Sequence, residues 1–349
     1  MPATVVGLDI GRCAVRAVEL RRSARKLVVR RHGSVALPPG AVEAGVVRDP
    51  VAVTEALRRL WREHRIGSRS VRLGVCSGSV LVRHLELDWM PPQDLRRALR
   101  YQVADLLPVA VDDANLDHVL LGEHTRTDPQ TGVDRRTVEI LLVATARGNV
   151  DDLVRCVQAA GLRPVTADLS PLALVRAAVS RSGRPLGPAG VPLTEAIVDV
   201  GADTVSVAVH TDGIPHFVRV VPGVGGELIT RALVEEGGLT WQEAEEAKRH
   251  PGTGTGLPDV ARHALEAATA RLVAEIRATL DFHSAGDPEH VAAHALLTGG
   301  GAALPDLAAR CAAAFGMPVT TLDLASVARV ASADDDLSVS LGLCLGETA

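Results

Sequence analysis

Hydrophobic and polar residues follow the same pattern in two distant stretches of the chain. The first, Val5 to Leu20, is an apolar run that reaches Asp9-Ile10-Gly11 and continues beyond this corner with alternating polarity. The second, Ile197 to His210, reaches Asp199-Val200-Gly201 and continues in the same way. An apolar run, a corner that contains glycine and a returning run are typical of a half-buried β-hairpin. We therefore predict two hairpins with the same Asp-apolar-Gly corner, one in each half of the chain.

Three consecutive glycines follow a third apolar run. Leu296 to Thr298 predicts a short strand, Gly299, Gly300 and Gly301 come next, and a helical pattern runs from Asp306 to Phe315. Bare backbone between a strand and a helix lets a flat ligand approach closely, and a helix N-terminus attracts anions. An ordinary tight loop also uses glycine, so this motif gains its weight from following the two hairpins in this order.

The remaining periodicities predict an α/β chain. Apolar residues recur at helical spacing in several further stretches, namely Val51 to His64, Asp94 to Leu107, Val150 to Ala160, Leu169 to Val179, Leu228 to Glu235, Trp241 to His250 and Asp259 to Phe282. Short apolar or alternating runs predict strands at Ser70 to Cys76, Leu81 to Leu87, Asp117 to Leu121, Val138 to Ala144 and Pro215 to Val221. Gln93 or Asp94 is the expected cap of the helix that Pro108 ends.

The length of the chain and a stretch rich in proline and glycine predict two domains. At 349 residues the chain exceeds what one hydrophobic core usually spans. A stretch rich in proline and glycine separates the halves, so we predict domain I at 1–180, a linker at 181–193 and domain II at 194–336. The pattern changes between about 81 and 165, which indicates a subdomain inserted into domain I.

Composition excludes several classes of function. A net charge of −5 gives no general attraction to nucleic acid or to anionic lipid. The five cysteines are scattered and lack Cys-x-x-Cys spacing, which indicates a reducing compartment rather than a disulfide scaffold or a zinc site. The N-terminus enters a strand directly, and no apolar run approaches the length of a membrane span. We therefore expect a cytoplasmic protein that reaches a membrane only through a partner.

The two corners have the composition of a phosphate and magnesium site. Backbone N–H groups in facing turns can bind a phosphate, and glycine permits its close approach. Asp9 and Asp199, at the ends of the entering strands, are suited to hold hydrated Mg²⁺ together with phosphate oxygens. A single Asp-x-Gly corner is more often plain turn chemistry. Two copies of the corner, one near the start of each half of the chain, favour a phosphate and magnesium site.

Taken together, these motifs resemble those of the actin-like ATPases, the superfamily of actin, the large heat-shock chaperones, hexokinases and FtsA. The hairpins resemble its phosphate-1 and phosphate-2 motifs, and the glycine run resembles its adenosine motif. Within the superfamily the chain is most similar to the PilM family of type IV pilus assembly proteins. This closer likeness is carried by Val6 to Gly11, Ala17 to Leu20, Met90-Pro91, Asn115 to Asp117, Leu142 to Ala144, Ala159 to Val165, Gly225 to Leu228, Ala244 to Lys248 and Leu280 to Phe282.

The resemblance implies a fold and a ligand. The fold is α/β, the actin-like ATPase fold, in which two RNase H-like domains flank a nucleotide cleft. It adds an FtsA-like 1C subdomain at about 81–165, a IIB-type part at about 228–290 and a last helix, 337–349, packed back on domain I. The expected cofactors are ATP and Mg²⁺, the ion being held through water by Asp9 and Asp199. The expected nucleotide contacts are Gly11, Arg12, Cys13, Arg16, Gly201, Ala202, Asp203, Thr204, Gly225, Gly226, Glu245, Lys248, Gly299, Gly300 and Gly301.

Two further assignments leave room for choice. In the family an acidic and a basic residue flank the adenine and ribose near Glu245 and Lys248, yet their spacing of three also fits an ordinary surface ion pair. A residue that positions water for catalysis is expected where the helix towards the linker begins, and Asp168 and Ser170 are the candidates.

The first turn departs from the family pattern. Arg12-Cys13-Ala14 stands where the family usually has hydroxyl residues, so we expect nucleotide binding rather than fast hydrolysis.

The function that the resemblance implies is that of a scaffold. In the family, a groove in domain I receives the short cytoplasmic tail of PilN, a bitopic inner-membrane protein. A PilN-like partner is therefore expected, with other pilus assembly proteins or a second copy of the chain as further partners and no nucleic acid.

Two other functions stay open at this point. A small-molecule kinase of the sugar-kinase type would use the same cleft and would need a carboxylate base, for which Asp168 is the obvious candidate. An FtsA-like filament protein would need a C-terminal amphipathic helix with lysines and aromatic residues, which Leu345 to Ala349 does not offer.

His290 and His294 are four residues apart, a spacing that would place them on one face of a helix as a pair of metal ligands. No third ligand lies near them in the sequence. We therefore expect no metal site at this pair.

Overall fold

The computed structural model describes residues 4–23, 26–107, 109–127, 134–184, 186–249, 256–328 and 336–346. The elements up to residue 180 are, in chain order, β1 (Thr4–Ile10), β2 (Ala14–Ser23), β3 (Lys26–Ala36), β4 (Val42–Glu43), β5 (Val46–Val47), α1 (Pro50–Glu63), β6 (Ser70–Val75), β7 (Leu81–Asp88), α2 (Pro92–Gln102), β8 (Ala114–Thr127), β9 (Asp134–Ala146), α3 (Arg147–Ala159), β10 (Arg163–Leu169) and α4 (Ser170–Ser180). The later elements are β11 (Thr194–Val200), β12 (Thr204–Thr211), β13 (Ile214–Pro222), α5 (Gly226–Glu235), α6 (Trp241–Arg249), α7 (Asp259–Gly286), β14 (His294–Thr298), α8 (Leu307–Phe315), β15 (Val319–Thr321) and α9 (Ser338–Leu345).

Domains I and II are built on five-stranded sheets of the same topology. The strand order is β10-β6-β1-β2-β3 in domain I and β13-β12-β11-β14-β15 in domain II. β1 pairs antiparallel with β2 and parallel with β6, and β11 pairs antiparallel with β12 and parallel with β14. The two predicted hairpins are thus confirmed as β1–β2 and β11–β12. The glycine run follows β14, the strand beside β11, so it lies at the same edge of the sheet as Asp199.

The cores are aliphatic because only 2% of the residues are aromatic. The largest fully buried side chains that the structure describes are all leucine or isoleucine, among them Leu8 on β1, Leu57 on α1 and Ile229 on α5. The apolar stripe of α1 packs against the domain I sheet, as its spacing predicts. In domain II, α5 and α7 cover the sheet in the same way. None of the described helices combines the length and apolarity that a membrane crossing requires.

Helices α4 and α9 lie between the two sheets. Their apolar side chains form one cluster with side chains from β11, β12, β13 and β14. Two glycines allow α9 to come very close to its neighbours. A Cβ on Gly342 would lie 2.1 Å from the carbonyl oxygen of Ala173 in α4, and a Cβ on Gly7 would lie 1.9 Å from the carbonyl oxygen of Ser340. Because no larger residue fits at either place, α9 is held tightly against α4 and β1.

The inserted subdomain is a three-stranded antiparallel sheet, in the order β7-β9-β8, with α2 packed on it. The predicted bounds of α2 are wrong. The helix starts at Pro92 without a side-chain cap and ends at Gln102, where Val103 leaves the helical backbone conformation with a φ of −108° and a ψ of 1°. Leu107 is extended because it precedes Pro108. β8 and β9 are longer than predicted, since their outer ends are polar on both faces and show no alternation.

Strand β7 of the subdomain lies alongside β13, the edge strand of the domain II sheet. At one end a Cβ on Gly78, just before β7, would be 3.0 Å from the ring of Pro222. His84 follows Gly78 by six residues and His216 precedes Pro222 by six, and the ring centroids of these two histidines are 6.5 Å apart. The inserted subdomain therefore contacts domain II as well as domain I.

Candidate functional site

The corner of the first hairpin is a tight turn beside a buried carboxylate. The N–H of Gly11 donates to the carbonyl oxygen of Ala14 at 3.0 Å, which closes the turn. Asp9 and Arg16 face each other across the hairpin, with Oδ2 of Asp9 3.5 Å from Nη1 of Arg16. Nε of Arg16 is buried and has no hydrogen-bond partner among the described residues. A buried donor without an acceptor, next to a glycine turn, fits an anion such as phosphate.

The corner of the second hairpin has the same turn, and a second pair of glycines packs on it. The N–H of Gly201 donates to the carbonyl oxygen of Thr204 at 2.9 Å, and the carbonyl oxygen of Gly201 accepts from the N–H of Gly226 at 2.9 Å. A Cβ on Gly225 would lie only 2.5 Å from the carbonyl oxygen of Ala202. Gly225 and Gly226 therefore support this turn by letting α5 begin directly against it.

Three carboxylates from separate parts of the chain lie close together at these corners. Burial raises the pKa of Asp9 to about 6, although the charge of Arg16 opposes the rise. Burial, and after it the charges of Asp336 and Asp9, raise the pKa of Asp199 to about 8. Oδ1 of Asp336 accepts from the N–H of Ser338 at 3.1 Å, at the start of α9. Since Arg16 alone does not balance these carboxylates, a divalent cation fits the place.

The glycine run after β14 lies directly on the end of β11. Gly299 has a φ of +86°, and a Cβ there would be 2.4 Å from Oδ1 of Asp199. A Cβ on Gly301 would be 2.4 Å from Cγ1 of Val200, whereas a Cβ on Gly300 would meet nothing within 4 Å. Gly299 and Gly301 are thus needed for packing and backbone conformation, while Gly300 presents open, bare backbone beside Asp199.

Arg12 connects the two corners. Its guanidinium is ion-paired with Glu227 at the start of α5, and its Nη1 lies 3.5 Å from Oδ2 of Asp203. Nη1 also donates to the carbonyl oxygen of Val42 at 3.2 Å. Oδ2 of Asp203 accepts from the N–H of Ala44 at 2.6 Å. Arg12, Val42 and Ala44 belong to domain I and the two carboxylates to domain II, so charged protein groups join the domains across the cleft.

Glu245 and Lys248 form a part-buried network on domain II instead of an ordinary surface pair. Nζ of Lys248 is 2.6 Å from Oε1 of Glu245 and donates to Oγ1 of Thr230 at 2.9 Å. It also lies 3.4 Å from the carbonyl oxygen of Gly226. Burial would raise the pKa of Glu245, but the hydrogen bonds from Lys248 and Thr230 outweigh it and hold the pKa below its usual value. The pair is therefore positioned against the start of α5, beside the second corner.

The fold and these corners match one family of known proteins. The family model described as type IV pilus assembly protein PilM matches residues 7–339. The chain belongs to this family. The membership predicted from the sequence motifs is thereby confirmed, and it extends to both domains and the inserted subdomain of this PilM-family protein.

Individual relatives agree with this assignment. The chain is similar to the cell division protein FtsA of Bacillus subtilis (strain 168), with 30% identity over 165 residues, 46% of this chain and 36% of that protein. It thus spans about a third of the length of that relative. Among solved structures it is similar to the PilM-PilN type IV pilus biogenesis complex, with 24% identity, a TM-score of 0.81 and coverage of 99% of this chain and 98% of that one. It is also similar to MreB5 of Spiroplasma citri bound to ADP, with 13% identity, a TM-score of 0.52 and coverage of 97% and 94%. These likenesses confirm the actin-like fold.

Asp168 lies near the end of β10 in this PilM-family structure. It is ion-paired with Arg176 on α4 and lines a groove between the inserted subdomain and the β6–β10 side of domain I. Ser170, the other candidate for positioning water, is buried at the first residue of α4, and its Oγ has no hydrogen-bond partner among the described residues. The structure therefore places Asp168 in the lining of this groove, at the end of β10, with Arg176 as its ion-pair partner.

Sequence reasoning missed Asp336 and Glu227. Asp336 ends a run of three aspartates, and such a run does not show which carboxylate folding will bring near Asp9 and Asp199. Its position directly before the last apolar helix was the available signal. Glu227 follows Gly225-Gly226 and is buried, with Arg12 and Arg231 as its partners. Because Arg12 is remote from it in sequence, this pairing depends on the tertiary fold.

Proposed function

We propose that this chain is an ATP-binding scaffold protein of type IV pilus assembly or of a related secretion apparatus. The observation that carries the nucleotide proposal is the cluster of Asp9, Asp199 and Asp336 beside the two glycine corners. Together they supply what a nucleotide with Mg²⁺ needs, carboxylates for the hydrated ion and backbone N–H groups for the phosphates. A solved protein of the same fold, MreB5, has ADP bound, which supports a nucleotide as the ligand.

Each group of residues would have one task. Asp9 and Asp199 would hold Mg²⁺ through water, with Asp336 as a third carboxylate. The turns that follow Gly11 and Gly201, with Arg16, would bind phosphate oxygens. The backbone from Gly299 to Gly301 would lie against the adenosine, and Glu245 and Lys248 would flank the base and ribose. Magnesium supplies positive charge that neutralises the phosphates when it is bound.

The nucleotide would act mainly as a conformational ligand. The first turn contributes Arg12 and Cys13 where a hydroxyl would contact phosphate, and the carboxylate of Asp168 is ion-paired with Arg176. We therefore expect tight binding and slow hydrolysis. A ligand that touches both domains favours the closed arrangement in proportion to its differential affinity for the closed and open states. Closure would move domain II relative to domain I. The inserted subdomain would be affected because its strand β7 lies beside β13 of domain II.

The groove that contains Asp168 is the proposed partner site. It has a volume of about 350 Å³, and its apolar lining includes Leu116, Val119, Val143 and Leu172. Consecutive residues of β8, from Asn115 to Val119, line it, as expected where the edge of a strand faces a groove. β8 is an outer strand of its sheet, so an extended peptide can pair with its backbone while apolar side chains enter the groove.

The proposed occupant is the short cytoplasmic tail of a PilN-like bitopic inner-membrane protein. The solved structure that this chain resembles over almost its full length is a PilM-PilN complex, which supports that choice. The chain would then be cytoplasmic and would lie at the inner membrane through its partner.

Calorimetry tests the nucleotide proposal. Wild-type protein is titrated with ATP in Mg²⁺, and phosphate release is followed in parallel. We expect saturable binding with slow release, and loss of binding in Asp199→Ala. Asp152→Ala is the matched control, because it removes an exposed carboxylate that pairs only on the surface of α3. Absence of ATP binding by folded wild-type protein would overturn the proposal, and acceptor-dependent turnover in the presence of sugars would support a kinase instead.

A pair of neighbouring substitutions tests the partner site. Val119→Glu places a charge in the groove, while Leu120→Glu places the same charge on the adjacent residue of β8, which is exposed and does not line the groove. The probe is a synthetic peptide of the cytoplasmic tail of the PilN-like protein from the same organism. We expect wild type and Leu120→Glu to bind it and Val119→Glu to lose binding. Equal binding by the two variants would place the tail elsewhere.

A further inference from the structure

Imidazole and carboxylate groups gather at the end of the domain II sheet that points away from the cleft. His216 is near the start of β13, and Asp287 and His290 follow the end of α7. One ligand atom from each of the three side chains lies within 4.8 Å of the other two, and all three side chains are partly accessible. β13 leads from His216 towards Pro222 beside the second corner, so this cluster is separate from the carboxylates of the cleft.

The cluster contains His290 but not His294, the histidine four residues further along the sequence. His294 opens β14, where its ring contacts Glu195 and Thr320, so it does not share a helical face with His290. His290 has its third-ligand candidates in Asp287 and in His216, which is far from it in sequence. The sequence predicts no metal site at the pair of His290 and His294, and that expectation does not involve Asp287 or His216.

Neighbouring groups already hold the three side chains in place. Nδ1 of His290 is 2.9 Å from Oδ2 of Asp287, and Nε2 of His283 contacts the carbonyl oxygen of His290 at 3.0 Å. Oγ1 of Thr211 contacts Nε2 of His216 at 3.0 Å. The contact of Thr211 is of the kind that fixes the ring orientation of metal-binding histidines in other proteins.

The chemistry of the cluster suits a borderline transition metal. Two imidazoles and one carboxylate are a ligand set that binds Zn²⁺, with water in the remaining position. The rings of His216 and His290 are stacked, with centroids 3.6 Å apart and planes 15° apart. Their lone pairs lie in nearly parallel planes, so a bound ion requires one ring to turn.

We propose that His216, Asp287 and His290 form a binding site for one divalent transition-metal ion of the zinc class. The site lies where the inserted subdomain meets domain II, because His84 of β7 is the next ring beyond His216. An ion there would stabilise the end of β13 against the segment after α7. It would also stiffen the surface on which the subdomain rests, independently of any nucleotide.

The test uses tag-free protein without nucleotide, since a polyhistidine tag would bind the same ions. Zn²⁺ is titrated by calorimetry, and Co²⁺ is used as a spectroscopic probe because its visible absorption reports coordination geometry. We expect one ion per chain and a Co²⁺ spectrum of nitrogen-containing, low-coordinate type, with affinity at least about 100-fold weaker in His290→Ala and Asp287→Asn. His263→Ala is the matched control, since it removes an exposed histidine from α7 and is expected to bind like wild type.

Thermal unfolding without metal checks that the variants fold. A second readout is the rise in melting temperature that Zn²⁺ causes, which we expect in wild type and His263→Ala and not in folded His216→Ala. Weak binding of several ions, or one ion that remains bound in His216→Ala and His290→Ala, would overturn the proposal. A six-coordinate oxygen-type Co²⁺ spectrum would also overturn it, because the ion would then occupy carboxylates elsewhere.

Discussion

Arg12 lies across the cleft from Asp203, with Nη1 in the turn of the first hairpin 3.5 Å from Oδ2 in the turn of the second. The same guanidinium is ion-paired with Glu227. An arginine in the first turn therefore serves two needs: it joins the domains, and it places positive charge at the corners where phosphates are proposed to bind. Since its partners are themselves little exposed, its removal has consequences for stability as well as for nucleotide affinity.

We expect Arg12→Ala to reduce the free energy of unfolding by about 1–3 kcal/mol, because it leaves the carboxylates of Asp203 and Glu227 short of a partner in a part-buried place. Urea unfolding measures the change. Arg59→Ala is the control, since Arg59 forms an exposed pair with Glu63 on α1 and its loss should cost about 0.5 kcal/mol or less. Equal effects of the two substitutions would show that Arg12 does not hold the domains together.

Adjacent glycines in the run after β14 should respond differently to the same change. Gly301→Ala pushes a methyl group against Val200 and should destabilise the protein by about 1–3 kcal/mol. Gly300→Ala meets open space and should leave the free energy of unfolding within about 0.5 kcal/mol of wild type.

The ATP affinity of the Gly300→Ala variant tests whether the backbone of Gly300 contacts the nucleotide. If adenosine lies against the bare backbone of Gly300, the Gly300→Ala variant should bind ATP about tenfold more weakly while remaining stable, as calorimetry and thermal unfolding together will show. Unchanged ATP affinity in this variant would move the adenosine away from the glycine run.

The hairpins, the glycine run and α1 could be predicted because their signals are local. A repeated Asp-apolar-Gly corner, or an apolar stripe, depends only on neighbouring residues. Asp336 could not be predicted in the same way, because its place near Asp9 and Asp199 arises when α9 packs between the sheets. The pairing of Arg12 with Glu227 joins two domains, and the pairing of His216 with His290 joins a strand to a distant segment. The early end of α2 lies at Val103, whose φ of −108° and ψ of 1° leave the helical range although its buried side chain continues the spacing of Leu95 and Leu99.

Lys248 and Arg249 are neighbours on α6 with different surroundings, which makes them a matched pair. Lys248 is largely buried and contacts Glu245, Thr230 and the start of α5, whereas the side chain of Arg249 is 72% exposed. We expect Lys248→Ala to weaken ATP binding by about tenfold or more and Arg249→Ala to leave it unchanged, both measured by calorimetry. If both variants bind ATP like wild type, the network has only a structural role in domain II.

The raised pKa values of the cleft carboxylates predict how stability depends on pH. Burial raises the pKa of Asp9 to about 6 and that of Asp199 to about 8 in the folded protein, so the folded state binds protons that the unfolded state has already released. The free energy of unfolding should therefore fall as pH rises from about 4 to about 8 through these two groups.

Asp199→Asn isolates this contribution. The amide cannot ionise, so the variant should gain stability over wild type at pH 8.5 and gain much less at pH 5.5, as urea unfolding at the two pH values will measure. Subtracting wild type removes the opposite effect of His210, whose pKa burial lowers to about 4. The same variant should lose ATP binding in Mg²⁺, because the hydrated ion needs the ionised carboxylate. A stabilising gain that is the same at both pH values would mean that Asp199 is ionised at both, so that burial does not raise its pKa to about 8 in the folded protein.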